Sequence, residues 1–265
     1  MRIELGCLNR PWSGFALEEA LAGIAAAGYQ KVGLTWQQGR PVFSADSTEE
    51  EIAALKSRVA AHGLAAHVVI TQPDLGLDPD EAVRRFQLEL QRARWLGIEY
   101  VIMCGTEDEG KYEQWYAVVG RCLDCAGEHG ITLLLKPHGG ISALAEDLLR
   151  AAGRLDHPSF GVCYDPGNIR YYTGLKPEDD LPKVARQVRA MCIKDEVGGK
   201  HGEVMITPGT GLVDFRRIFA ILAEAGFSGP CWVECLGGKT VAEISAEAEA
   251  AKTRRFISDL AQSIG

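Results

Sequence analysis

The sequence has no run of about twenty apolar residues, so no part of it reads as a membrane-crossing helix. It also has no clustered basic stripe. Its 28 Lys and Arg stand against 36 Asp and Glu, a formal charge of −8, and nucleic acid is a poor partner for a surface that cannot neutralise phosphates. Arg2 and Glu4 interrupt the first apolar run, which leaves no secretory segment and points to the cytoplasm. Cys122 and Cys125 form a CxxC pair, but no second pair exists to complete a zinc site. A disulfide framework is equally unsupported, because Cys104, Cys163, Cys192 and Cys231 sit in apolar runs that read as buried, reduced strand positions. No GxGxxG follows the first strand, which argues against an open dinucleotide-binding sheet. Gly237-Gly238-Lys239-Thr240 matches the end of a P-loop, yet the glycine that motif needs five positions before Gly238 is Val233. What survives there is a set of backbone donors at the start of the last helix, able to hold a phosphate or carboxylate. No low-complexity linker divides the chain, and residues 1–265 are expected to form one domain.

What is present is an alternation repeated eight times. Short apolar, β-branched runs at 2–7, 31–35, 65–70, 99–104, 131–136, 160–164, 190–194 and 231–235 read as strands buried on both faces. Between and after them, residues 16–27, 48–62, 79–96, 111–129, 142–153, 178–188, 214–225 and 241–261 carry apolar side chains at helical spacing. Pro79 opens one helix, Ser47 or Thr48 with Glu50 and Glu51 opens another, and Gly28, Gly63, Gly97, Gly130 and Gly226 close several. Eight such units in 265 residues predict an α/β fold, a single-domain (β/α)8 TIM barrel. The long aperiodic stretch 195–213 then falls on the active face, as a lid or binding loop. Trp115 and Tyr116, on an outer helix, could serve an interface in a homo-oligomer.

Barrel chemistry sits at the carboxyl ends of strands. There the sequence offers Lys136 and His138 after the fifth strand, Asp165 and Asn168 after the sixth, Cys192, Lys194 and Asp195 at the seventh, and Glu234 at the eighth. Trp36 and His67, near the ends of the second and third strands, and His201 in the long loop are candidates for lining a substrate pocket. Strand period two sends Lys136, Cys192 and Lys194 either into the lumen or toward the helices, and the sequence does not fix the phase.

The DPGN after strand six, the IKD at strand seven, PGTGLVDF before a helix and GFSGPCWVE at strand eight resemble the sugar phosphate isomerase/epimerase family of xylose isomerase-like TIM barrels. The resemblance is strongest from about residue 130 to 235. It implies a divalent metal held by Glu, Asp, His and Glu at the ends of strands five to eight, with the two glutamates moving a proton between adjacent carbons of a sugar. Asp165 and Glu234 match that set. The other two positions hold Lys136 and Cys192, and the His that commonly follows the Asp by three is Asn168. Asp165, Glu234 and a protonated Lys136 sum to −1, as three carboxylates and a divalent ion do, so Lys136 can stand where the metal stood and no metal or other cofactor is expected.

The chemistry implied is removal of a proton next to the carbonyl of a keto sugar or sugar acid, which needs a base and a stabiliser of the oxyanion that forms. Glu234 is the expected base, Lys136 the stabiliser, His138 a second acid/base, and Asp165 the group that orients Lys136. Asn168 and Lys194 would contact the substrate. A Schiff base at Lys136 is a competing role, disfavoured because two carboxylates hold its proton on. A lyase or dehydratase working by the same proton abstraction is the alternative activity. A metalloenzyme that recruits His138, Asp165, Glu234 and Cys192, and a non-catalytic carbohydrate-binding barrel, complete the alternatives.

Overall fold

In the computed structural model, which describes residues 1–237 and 245–264, eight parallel strands close into a barrel. They are β1 (Ile3–Leu8), β2 (Lys31–Leu34), β3 (Ala65–Ile70), β4 (Tyr100–Met103), β5 (Thr132–Leu135), β6 (Phe160–Tyr164), β7 (Val188–Ile193) and β8 (Gly229–Val233). Each strand pairs with its sequence neighbour, and β1 closes the ring against β8 with Ile3 opposite Gly229 and Cys7 opposite Val233. The outer layer is α1 (Leu17–Ala26), α2 (Glu49–Ala61), α3 (Pro79–Leu96), α4 (Tyr112–Glu128), α5 (Ala145–Leu155), α6 (Pro166–Thr173), α7 (Phe215–Glu224) and α8 (Ala246–Ile264). This is the expected single TIM barrel.

Local chemistry accounts for the boundaries. Thr48 and Glu51 exchange hydrogen bonds at the start of α2, Thr48 Oγ1 accepting from the Glu51 amide and Glu51 Oε2 from the Thr48 amide, so two orphan donors are satisfied at once. Pro79 occupies the first turn of α3 and Gly97, at φ 95°, ends it. The expected helix over 178–188 is not formed. Pro182 cannot continue a helical ladder, and the segment is instead a four-residue helix, Pro177–Asp180, followed by two short 3-10 turns. The helix that follows β6 is α6, begun by the DPGN sequence, in which the Asp165 carboxylate caps the Asn168 amide at 2.9 Å and Pro166 takes the first position. A small hairpin also appears beyond β2, Trp36–Gln37 against Arg40–Pro41, turned by Gln38 and Gly39 at positive φ.

The core has two layers. Most buried apolar side chains lie between the sheet and the helices. A separate cluster, Leu8, Val68, Ile102, Leu134, Cys163, Ala190, Cys192 and Trp232, fills the lumen. The Trp232 indole fits there because Gly6 faces it: a methyl group on Gly6 would stand 2.7 Å from Trp232 Cδ1. Trp115 and Tyr116 are buried within the chain, 1% and 7% exposed, so the interface expected of them is overturned. All eight cysteines are free, as expected for reduced thiols. No helix among the described residues is long and apolar enough to cross a membrane.

Candidate active site

The lumen cluster fixes the phase that sequence left open. Leu134 points inward on β5, so Lys136 does too, two residues on. By the same count Cys163 directs Asp165 inward, Cys192 directs Lys194, and Trp232 directs Glu234. All four charged side chains reach one point at the carboxyl end of the barrel, and none is more than 3% exposed.

Glu234 is the hub. Its Oε2 accepts from Lys136 Nζ at 2.7 Å, and its Oε1 accepts from Lys194 Nζ at 2.9 Å and from the Arg10 guanidinium. Burial alone would raise the Glu234 carboxyl, but Lys136, Lys194 and Arg10 outweigh it and hold the group well below the usual carboxylate range. Burial would likewise lower Lys136, and the carboxylates of Glu234 and Asp165 reverse this and keep its ammonium protonated. A free amine for Schiff-base formation is therefore not available at Lys136. Lys194 is raised in the same way, burial being overcome by Asp165 and Glu234.

Asp165 contributes differently. Its Oδ1 caps α6 through the Asn168 amide, while Oδ2 is buried and, among the described residues, has no hydrogen-bond partner, lying 3.4 Å from Lys136 Nζ and 3.5 Å from Lys194 Nζ. Asn168 links the two sides, donating from Nδ2 to the Pro137 carbonyl at 2.6 Å and accepting from Lys194 Nζ at 3.0 Å.

His138 stands beside this cluster, half-buried, with its ring nitrogens 3.0 and 3.1 Å from the Tyr172 hydroxyl. Burial, then the charges of Lys136 and Lys194, lower its pKa, so the imidazole is neutral at pH 7. Burial, with Glu107 adding to it, pushes the Tyr172 phenol up to about 12. The Tyr172 ring fits over the turn because residue 139 is glycine: Gly139 has φ 77°, and a Cβ on it would lie 2.9 Å from the tyrosine ring.

Two functional groups were missed from sequence. Arg10 lies two residues past the end of β1, where the strand-end rule applies, but only the later strands carry the recognisable motifs. Tyr172 sits on α6, a short helix outside the segments that carry helical spacing in the sequence. Arg10 and Lys194 also correct the charge count: three cations against two carboxylates leave +1, not −1. Nearby thiols add no negative charge, since Cys192 is raised by its contact with Cys163 and by burial, and Cys104 and Cys235 by burial.

The other expected site residues do not join the cluster. His67 lies toward the opposite, amino-terminal end of the barrel, where its Nδ1 accepts from Trp232 Nε1 at 3.3 Å, its ring packs on Tyr100 and its Nε2 is 3.4 Å from Glu4. The register shift between β2 and β3 makes His67 the extra residue of a bulge, which re-aims its side chain into the barrel floor. Trp36 is 56% exposed on the hairpin past β2, at a cavity of about 200 Å³ shared with Phe43, Ile70, Gln72 and Glu89. His201 is on the surface at φ 60°, its ring edge-on to Tyr171. Gly238, Lys239 and Thr240, the proposed anion-binding start of the last helix, lie outside the described residues.

Asp165, Cys192 and Glu234 bring three possible metal-ligating atoms within 4.8 Å of one another. The set does not fit a divalent ion. Both ammonium groups already occupy the space between the two carboxylates, and Cys192 is a neutral thiol 3.7 Å from Cys163 Sγ. His138 faces Tyr172.

Residues 21–260 match the model of a family described as xylose isomerase-like TIM barrel. An inosose dehydratase from Geobacillus thermodenitrificans is 26% identical in an alignment of 136 positions that covers 44% of this chain; the chain spans 45% of the length of that relative. The fold of the whole chain is similar to that of a xylose isomerase domain protein from Planctomyces limnophilus (TM-score 0.77, 20% identity, 100% of this chain and 99% of that one). It is similar also to a xylose isomerase-like TIM barrel protein from Mycobacterium smegmatis in complex with magnesium (TM-score 0.80, 16% identity, 99% and 98%). A D-psicose 3-epimerase with D-tagatose from Clostridium cellulolyticum H10 superposes with a TM-score of 0.76 at 14% identity, over 99% of each chain.

Proposed function

The chain belongs to the xylose isomerase-like TIM barrel family, and on that premise we propose that it is an enzyme removing a proton next to the carbonyl of a keto sugar or keto sugar acid. The observation that carries this reading is a cluster of net charge +1 beside a neutral imidazole: four buried charges that cancel, and the partly exposed Arg10 on Glu234. A neutral substrate leaves that charge uncompensated. The enediolate that forms on deprotonation brings −1, so the attraction grows along the reaction coordinate, as rate acceleration requires. Lys136, Lys194 and Arg10 are the stabilisers.

His138 takes the role of base. Glu234 was the expected base, but a carboxylate engaged by three cations binds a proton poorly. His138 is neutral and has a phenol at its ring edge that can carry a proton onward. Asp165 Oδ2 holds the two ammonium groups from the other side, and Asn168 positions Lys194.

One accessible base favours elimination or 1,2-isomerisation over epimerisation, because inverting a carbon through a planar enediolate calls for proton donors and acceptors on both faces. The partial match to an inosose dehydratase supports the elimination branch. The test is proton exchange in D2O, followed by NMR, over a panel of D-fructose, D-tagatose, D-psicose, L-ribulose and the matching keto acids. Exchange or water loss in wild type, slowed by roughly 10²-fold or more in Lys136→Met with the fold intact, is the expected result. Saturable binding with no exchange on any compound would sink the enzymatic reading and leave a carbohydrate-binding barrel.

A further inference from the structure

Two ammonium groups bridge the same two carboxylates almost symmetrically. Lys136 Nζ is 2.7 Å from Glu234 Oε2 and 3.4 Å from Asp165 Oδ2. Lys194 Nζ is 2.9 Å from Glu234 Oε1 and 3.5 Å from that same Asp165 oxygen. The lysines come from different strand ends, β5 and β7, and Lys194 is steadied by Asn168 Oδ1 at 3.0 Å. We propose that Lys136 and Lys194 together form a resident dication, built into the chain in place of the divalent ion that the family resemblance implies, and that this barrel excludes such an ion.

The charge argument is direct. Two ammonium groups carry the +2 of a divalent metal and compensate the carboxylates of Asp165 and Glu234, neither of which is more than 2% exposed. An ion bound by these oxygens would sit in contact with both ammonium nitrogens, in a site where water screens little and like charges repel several times more strongly than in bulk. The soft donor offers little compensation, since Cys192 Sγ lies against Cys163 Sγ at 3.7 Å within the lumen. Tethered cations also differ from a metal in function: they do not dissociate, and they present N–H donors whose directions are set by the strands.

The proposal deepens the functional reading above and rests on its site, but its test needs no substrate. Wild-type protein is stripped with EDTA, dialysed against millimolar MnCl2 or MgCl2 and assayed by elemental analysis and thermal melting. The dication predicts far less than one equivalent of metal and the same Tm with Mn2+ or EDTA. In Lys136→Met/Lys194→Met, Asp165 and Glu234 lose the pair that compensated them. That variant should melt lower, bind one equivalent of Mn2+ and regain roughly 5 °C or more on adding it. If it does not accumulate folded, Lys136→Glu/Lys194→Met, which removes both ammonium groups and supplies a third carboxylate, serves in its place and should likewise take up one equivalent. One tightly bound, stabilising ion in wild type overturns the proposal, as do folded variants that take up none. Metal-free protein with no proton exchange on any sugar would keep the dication and remove the proposed activity; metal-loaded protein with exchange would do the reverse.

Discussion

Glu234 shows how little a residue type says about its role until its neighbours are known. Its oxygens receive three cations from elsewhere in the chain, and a group so engaged anchors charge where it was expected to accept a proton. The same contacts make Lys136 costly to remove. Lys136→Met should lower stability by about 3 kcal/mol, since breaking a buried ion pair leaves its partner uncompensated. It should also slow proton exchange by roughly 10²-fold or more, the scale of losing one oxyanion donor. Chemical denaturation and D2O exchange on the same preparation separate the two effects. His138 makes a pH prediction with a definite sign. Its pKa is depressed below the ordinary histidine value of about 6.5, so the acid limb of the rate profile should fall below that value, activity being lost as the pH drops through the folded-state pKa. Stability should fall over the same interval, from about 6.5 down to the folded value, because there the unfolded chain binds the proton more readily. His138→Gln should abolish the acid limb together with roughly 10²-fold of the rate, whereas an unchanged profile would remove His138 as base.

Among the elements, the 195–213 segment has its two ends tied together by one side chain. Asp195, fully buried, accepts from the backbone amides of Glu196, Gly209, Gly211 and Val213. Asp195→Ala leaves these four donors unpaired and should cost about 3 kcal/mol, each hydrogen bond to a charged group being worth about 1.5–3 kcal/mol before the loop relaxes. Backbone hydrogen exchange should accelerate across 196–213 before it does in the strands; uniform acceleration everywhere would show that the loop does not open as a unit. The helix after β6 carries a complementary lesson. Asp-Pro-Gly-Asn suits a β-turn and a helix start equally well; here it starts a helix, and the capping Asp165 has its second oxygen 3.4 and 3.5 Å from the two lysines.

For the molecule as a whole, barrel closure makes the lumen a fixed volume, and packing there tolerates little. Gly6→Ala places a methyl group 2.7 Å from Trp232 Cδ1 and should destabilise the protein by about 1–3 kcal/mol through overpacking, measurable as a lower urea midpoint with an unchanged slope. An equal or higher midpoint would show that the indole can shift within the barrel.

The sequence by itself determined the barrel. Alternation of short apolar runs with amphipathic segments is a local property, and eight repeats leave few other ways to bury both faces of every strand. The same local reading found Lys136, His138, Asp165, Asn168, Lys194 and Glu234, because strand ends mark the active face. Only the tertiary structure decided what those residues do together. The partners of Glu234 lie 40, 98 and 224 positions away, and no local pattern encodes a charge balance assembled across such distances. Phase was decided there as well. One bulged residue turned His67 into the barrel floor, while Arg10 and Tyr172, ordinary in their own segments, became parts of the site when the ring closed and α6 folded against the β5 turn.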